Sequence, residues 1–201
     1  MIALIDYGSG NLRSVSKALE HEGADVRLVE SPEGLAGARA MVLPGVGAFG
    51  DCVRNLRERR LWDPVKEWLA SGKPFLGICL GYQLLFDSSE ESPGVEGFGY
   101  FRGVVKRFHE NGLKIPHMGW NNLDRNQHML WNGLPAEPYV FFVHSYFPVP
   151  EDASIVTSRS TYGETFAASV ARGNVSAVQF HPEKSQEIGL AILRNFIQSI
   201  S

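Results

Sequence analysis

Apolar residues follow two rhythms along this chain. In the first half, short unbroken apolar runs alternate with stretches whose apolar positions recur every three or four residues. Residues 2–5 form the first run, closed by Gly8-Ser9-Gly10. Leu12, Val15, Ala18 and Leu19 then keep helical spacing, and residues 26–29 give another strand. Residues 40–43 end at Pro44-Gly45, after which Val53, Leu56, Leu61, Val65, Trp68 and Leu69 fall on helical faces that Ser71-Gly72 ends. Residues 75–78 are a further buried run, and residues 80–86 are helical in composition. Unbroken apolar strands separated by amphipathic helices predict right-handed crossovers and a mainly parallel sheet covered on both faces.

The second half changes rhythm. Residues 104–108, 115–123, 139–143, 154–157, 166–170 and 175–180 are strand-like, with turns expected at Asn111-Gly112, Asn132-Gly133 and Gly173-Asn174. These segments read as antiparallel additions to the same sheet. Ile188, Leu190, Ile192, Leu193, Phe196 and Ile197 then predict a closing helix. No repeat or linker divides the pattern. The expectation is one α/β domain over residues 1–201, three layers deep, with a mixed but mostly parallel sheet.

Composition narrows the chemistry. Hydrophobic residues are 44% and charged residues 20%, ordinary for a globular chain, and the formal net charge is −3. Arg57, Arg59 and Arg60 are the densest basic cluster and fit a solvated helix face, so nucleic acid is not an expected partner. The N-terminal run is too short for a signal segment and meets Asp6 at once, and no stretch nears the roughly 20 apolar residues of a membrane span. Only Cys52 and Cys79 are available as thiols, which excludes a disulfide framework and fits a reducing cytoplasm.

Cys79 has the more telling surroundings. Gly77-Ile78-Cys79-Leu80-Gly81 sits where a buried strand hands over to a helix, the cysteine counterpart of a nucleophile elbow. The flanking glycines let strand and helix backbones approach, and the turn sets sulfur at a helix N-terminus, which favours thiolate. Cys52 lies on a helical stretch without such glycines and fits buried packing.

A thiol nucleophile for acyl transfer needs a histidine within reach and a group that fixes its tautomer. His181 follows the run 175–180, and Pro182 stops the strand there. Glu183 can turn back to the imidazole, so Cys79, His181 and Glu183 form the expected triad. His144, at another strand end, is the rival base and suits a pocket wall better. His181 and Glu183 lack zinc-site spacing, so no metal or organic cofactor is expected. The Leu80 amide should give one oxyanion donor, and the loop Leu43-Pro44-Gly45-Val46-Gly47-Ala48-Phe49-Gly50 should give another.

These motifs resemble those of class I glutamine amidotransferases, through the G-x-C-x-G-x-Q elbow and His181-Pro182-Glu183. Asp6 to Val15, Pro44 to Phe49, Pro116-His117-Met118-Gly119-Trp120-Asn121 and Lys184-Ser185 narrow the likeness to the histidine-biosynthetic branch. The resemblance implies that Cys79 attacks L-glutamine, with His181 as base and acid and Glu183 as its orienter. It implies that Gly45, Gln83, His144, Ser145 and Tyr146 hold the substrate. Val46 would supply an oxyanion amide after a partner-triggered peptide rotation. Ammonia would pass to a cyclase of (β/α)8 fold, and Asn11, Trp120, Asn121 and Lys184 would face that partner in a heterodimer. Met118 and Trp120 also read as interface anchors on their own account, being large apolar groups near strand ends. Where the family often carries Glu after the elbow, this chain has Asp87. Other glutaminases, a thiol hydrolase on the same fold and a non-catalytic binding subunit are the competing readings.

Overall fold

The computed structural model describes residues 1–110 and 112–200, so Asn111 of the expected Asn111-Gly112 turn lies outside the described residues. The first half follows its hydrophobic pattern closely. Strand β1 is Ile2–Ile5, helix α1 Leu12–His21, β2 Val26–Val29, β3 Ala40–Leu43, α2 Phe49–Glu58, α3 Trp62–Ala70, β4 Phe75–Ile78 and α4 Leu80–Gln83. The second half adds β5 Ser88–Ser89, β6 Gly103–Arg107, β7 His117–Asn122, β8 Asp124–Arg125, β9 Tyr139–His144, β10 Tyr146–Pro150, β11 Val156–Tyr162, β12 Glu164–Arg172, β13 Val175–Val178 and the closing helix α5 Gln186–Ser199.

The main sheet has the order β2-β1-β3-β4-β13-β12-β11-β8. The strands from β2 to β13 run parallel, while β12, β11 and β8 continue antiparallel. Because side chains alternate across a strand, the buried parallel strands feed two cores at once. Ala3, Ile5, Met41, Leu43 and Phe75 pack with Cys52, Leu56, Val65 and Leu69 of α2 and α3. Ile2, Leu4, Val42, Leu76 and Ile78 pack on the other face with Val15 and Leu19 of α1 and Ile192, Leu193 and Phe196 of α5. The result is a helix–sheet–helix sandwich. No helix among the described residues is long and apolar enough to cross a membrane.

Several expectations need correction. Segments 104–108, 115–123 and 139–143 do not extend the main sheet: β6 pairs with β10 and β5, and β7 pairs with β9, in two separate small sheets. The outer side of β11 is taken by β8. The β7–β9 ribbon therefore packs face-on, burying His117, Val140, Phe142 and His144 in the second core cluster or beside it. Residues 154–157 begin as a 3-10 turn, because Asp152 Oδ1 accepts the Ser154 amide at 2.9 Å and bends the chain, and the strand starts only at Val156. Helix α4 ends at Gln83 because the amides of Leu85 and Phe86 turn to the carbonyls three residues back, at 3.2 and 3.1 Å. The chain then drops to β5 beside β6.

Candidate active site

The loop after β4 is as tight as its glycines require. Cys79 takes φ 55° and ψ −106°, a left-handed conformation that a side chain occupies only under constraint. A Cβ on Gly77 would stand 2.8 Å from the Gly81 carbonyl oxygen, and one on Gly81 would collide with the Leu43 carbonyl oxygen. The Cys79 amide bonds the Val178 carbonyl at 2.8 Å, which ties the elbow to β13. Because β13 lies next to β4, its exit carries His181 to the same carboxyl edge of the sheet.

There His181 Nδ1 meets Glu183 Oε1 at 2.8 Å, with both side chains almost fully buried. A carboxylate accepts only a proton-bearing nitrogen, so Nδ1 holds hydrogen and Nε2 is left for the sulfur. Burial pushes this imidazole down, but the charge and hydrogen bond of Cys79, together with Glu183, outweigh burial and raise it to about 10. Glu183 Oε2 is buried with no partner of its own. Ser185 Oγ fixes the turn by donating to the His181 carbonyl at 2.7 Å and accepting the Phe141 amide at 3.0 Å. For the other thiol, burial pushes Cys52 up to about 11, a neutral packing group.

Cys79 and His181 line one cavity of about 280 Å³, walled by Val46, Leu80, Gln83, Glu91, His144, Ser145, Tyr146 and Lys184. Of the residues expected to touch substrate, Gly45 alone sits behind this wall. Its carbonyl accepts the Leu80 amide at 3.4 Å, so that expected oxyanion donor is engaged. The neighbouring carbonyls are held too: Tyr7 Oη donates to Pro44 O at 2.9 Å and Ser9 Oγ to Val46 O. The Leu80 amide is thus occupied by the neighbouring loop's own backbone, and rotation of the Gly45–Val46 peptide would free it and turn the Val46 amide.

His144 has no nitrogen left to act as a base. Its Nδ1 meets the Tyr146 carbonyl at 2.9 Å, a pure acceptor, so Nδ1 carries the proton and Nε2 accepts from His117 Nδ1 at 3.2 Å. Asn121 Nδ2 lies 3.4 Å from His117 Nε2 and 2.9 Å from the Thr161 carbonyl. Asn121 is half-buried at this end of the ribbon. Burial among Phe108, Phe142, Tyr162 and Phe166 pushes His117 to about 4 and His144 to about 3. Both are neutral when folded and protonate near 6.5 when unfolded, so the stability they carry is full above that pH and falls as acid is added. Thermal and urea unfolding should therefore lose about 1.4 kcal/mol per pH unit per histidine between roughly pH 6 and 5, before carboxylates titrate. A flat profile over that interval would contradict the neutral pair.

One wall residue carried no sequence signal. Glu91 brings a carboxylate into the cavity, with Oε2 accepting the Phe49 amide at 2.8 Å. Asp87, considered for a substrate contact, is instead bound to Arg102 Nη1 at 3.0 Å and the Gly103 amide at 2.8 Å, outside the cavity wall. Gln179 lies behind Cys79. Met118, Trp120 and Tyr139 are exposed on the outward face of the β7–β9 ribbon, and Asn11 sits half-buried at the start of α1.

A buried Cys–His–Glu set on a strained elbow, opening to a small cavity, is the equipment of a thiol acyl-transfer enzyme. The family model described as glutamine amidotransferase class-I matches residues 3–200, and the chain belongs to that family. Among its relatives, a protein of Microcystis aeruginosa named imidazole glycerol phosphate synthase subunit HisH is 52% identical over 204 residues, covering 100% of this chain and 96% of the relative. A protein of the same name from Syntrophotalea carbinolica is 51% identical over 203 residues, 98% of each chain. A solved structure described as a glutamine amidotransferase shares the fold at a TM-score of 0.76 and 23% identity, over 100% of this chain and 99% of that one.

Proposed function

We propose that this chain is the glutaminase subunit of an imidazole glycerol phosphate synthase, in which Cys79, His181 and Glu183 release ammonia from L-glutamine for a partner subunit. The observation that carries the residue roles is His181, bonded through Nδ1 to Glu183 at 2.8 Å and lining one cavity with Cys79. The full-length likeness to proteins of that name supports the substrate and the assembly.

In this reading, the Cys79 thiolate adds to the side-chain amide carbon, a C–S bond forms, and the carbonyl electrons move to oxygen. Collapse of that intermediate breaks the C–N bond as His181 protonates the departing nitrogen, giving ammonia and a thioester. Water then loses a proton to His181, attacks the thioester carbon and expels the sulfur, leaving glutamate. Glu183 holds the imidazole in one tautomer through both steps. Glu91, the carboxylate of the cavity wall, suits the α-ammonium group of glutamine.

The oxyanion hole completes this scheme only after the Gly45–Val46 peptide rotates, which makes the isolated chain a slow hydrolase awaiting a partner. The partner is a cyclase of (β/α)8 fold. Met118, Trp120 and Tyr139, 64%, 47% and 52% exposed, suit it as apolar anchors, and Lys184 adds charge at the cavity wall. The free, buried thiols Cys52 and Cys79 fit a reducing cytoplasm.

The test is glutamine hydrolysis by the chain alone, with the cyclase, and with the cyclase plus its nucleotide ligand. Stimulation of about a hundredfold or more in the last case is expected, since one restored oxyanion donor is worth roughly 10² to 10³ in kcat. Full activity of the chain alone, or none in any mixture, would refute the reading.

A further inference from the structure

Gln179 follows β13 directly, and its side chain is fully buried against the reactive sulfur. Its Nε2 lies 3.7 Å from Cys79 Sγ, within hydrogen-bond range for sulfur. Its orientation is determined by its neighbours. Gln83 Nε2 donates to the Tyr146 carbonyl at 2.9 Å and to Gln179 Oε1 at 3.2 Å. The Tyr146 main-chain carbonyl can only accept, so the nitrogen end of Gln83 is fixed. A flipped Gln179 would set two amino groups against each other and turn a carbonyl oxygen onto the sulfur.

The Val143 carbonyl also lies near that sulfur, an acceptor at 3.9 Å that suits a neutral thiol. Ionised sulfur loses that contact and keeps the Gln179 donor. Helix α4, which starts at the elbow, has only 4 residues and a correspondingly small dipole, so a directed amide matters more here.

We propose that Gln179 is a further catalytic residue of the glutaminase reaction, donating its side-chain amide to the Cys79 sulfur and holding negative charge there, with Gln83 and the Tyr146 carbonyl as the frame that aims it. This rests on the reading of Cys79 as nucleophile. The two amide hydrogens of Gln83 serve this frame, while its Oε1 stays available on the cavity wall. The titratable groups facing the sulfur are His181 with Glu183 behind it, His144, and Tyr7 beside Cys52, with Glu91 and Lys184 on the cavity wall. Substituting Gln179 leaves all of them in place.

The experiment uses the full chain in complex with its cyclase. Gln179→Met keeps the length without the donor, and Gln179→Glu replaces the donor with an acceptor. The rate of Cys79 alkylation by iodoacetamide is followed against pH by peptide mass spectrometry. Gln179→Met should shift the midpoint upward by about one pH unit, lower kcat about tenfold and leave KM within about twofold, since one unit corresponds to a tenfold change in ionisation. Gln179→Glu should shift it further. Should either variant misfold, the wild-type chain answers alone: the Gln179 side-chain amide resonance should titrate with the alkylation midpoint. An unmoved resonance, or a wild-type midpoint in folded Gln179→Met, overturns the inference. If those results coincide with an inactive Cys79→Ala chain, only the role of Gln179 falls; an active Cys79→Ala chain removes the underlying reading instead.

Discussion

Cys79→Ala abolishes glutamine hydrolysis in the activated complex, lowering kcat by about 10⁴-fold or more, while the complex still assembles. The size follows from the role: without sulfur there is no covalent step to divide the reaction, and what remains is the weak assistance of binding and the oxyanion donors. Assembly survives because Cys79 is buried at the cavity floor, whereas the exposed apolar side chains lie on the β7–β9 ribbon. Steady-state kinetics beside a titration of complex formation separates the two. Turnover within tenfold of the unmodified chain would remove Cys79 from the mechanism.

The second large effect comes from the backbone. Gly81→Ala puts a Cβ into the carbonyl oxygen of Leu43, with the Leu43 carbonyl carbon only 2.9 Å away. Both colliding parts are main chain, one at the end of β3 and one in the elbow, so no side-chain rotation relieves the clash. The expected loss is about 3 kcal/mol, the upper part of the range for overpacking. For a chain of this size that is a fall in Tm of roughly 6 to 12 °C. Hydrolysis by the folded fraction should drop at least about a hundredfold, because an elbow shifted by roughly 1 Å no longer aims the sulfur. Calorimetry and kinetics on the one variant test both halves. Unchanged melting with unchanged kcat would mean the elbow is looser than the structure has it.

The first half of the fold was legible because β1, β3 and β4 are unbroken apolar runs of four residues, which two-faced burial explains. The second half was legible as strands but not as sheets. Alternation in His117–Asn122 and Tyr139–His144 marks one buried face, and it reads the same whether a strand joins the main sheet or lies across a core. At the site, Cys79 could be found because its glycines have a steric purpose, and His181 because Pro182 marks the strand exit. Glu91 and Gln179 had no such marker: one reaches the cavity from a loop, the other hides beside a more conspicuous histidine. The direction of the Gly45 carbonyl was not legible either, since two glycines permit both orientations of a peptide and name neither.

In the proposed reaction the Cys79 sulfur, activated by His181, takes the acyl group from glutamine. The most direct test is covalent trapping with a glutamine analogue bearing an electrophilic carbon in place of the side-chain amide, read by intact and peptide mass. One adduct per chain, on Cys79, forming in step with loss of activity and slowed at least about a hundredfold by His181→Ala, is the predicted result. Label on Cys52, or full inactivation with Cys79 unmodified, would contradict it.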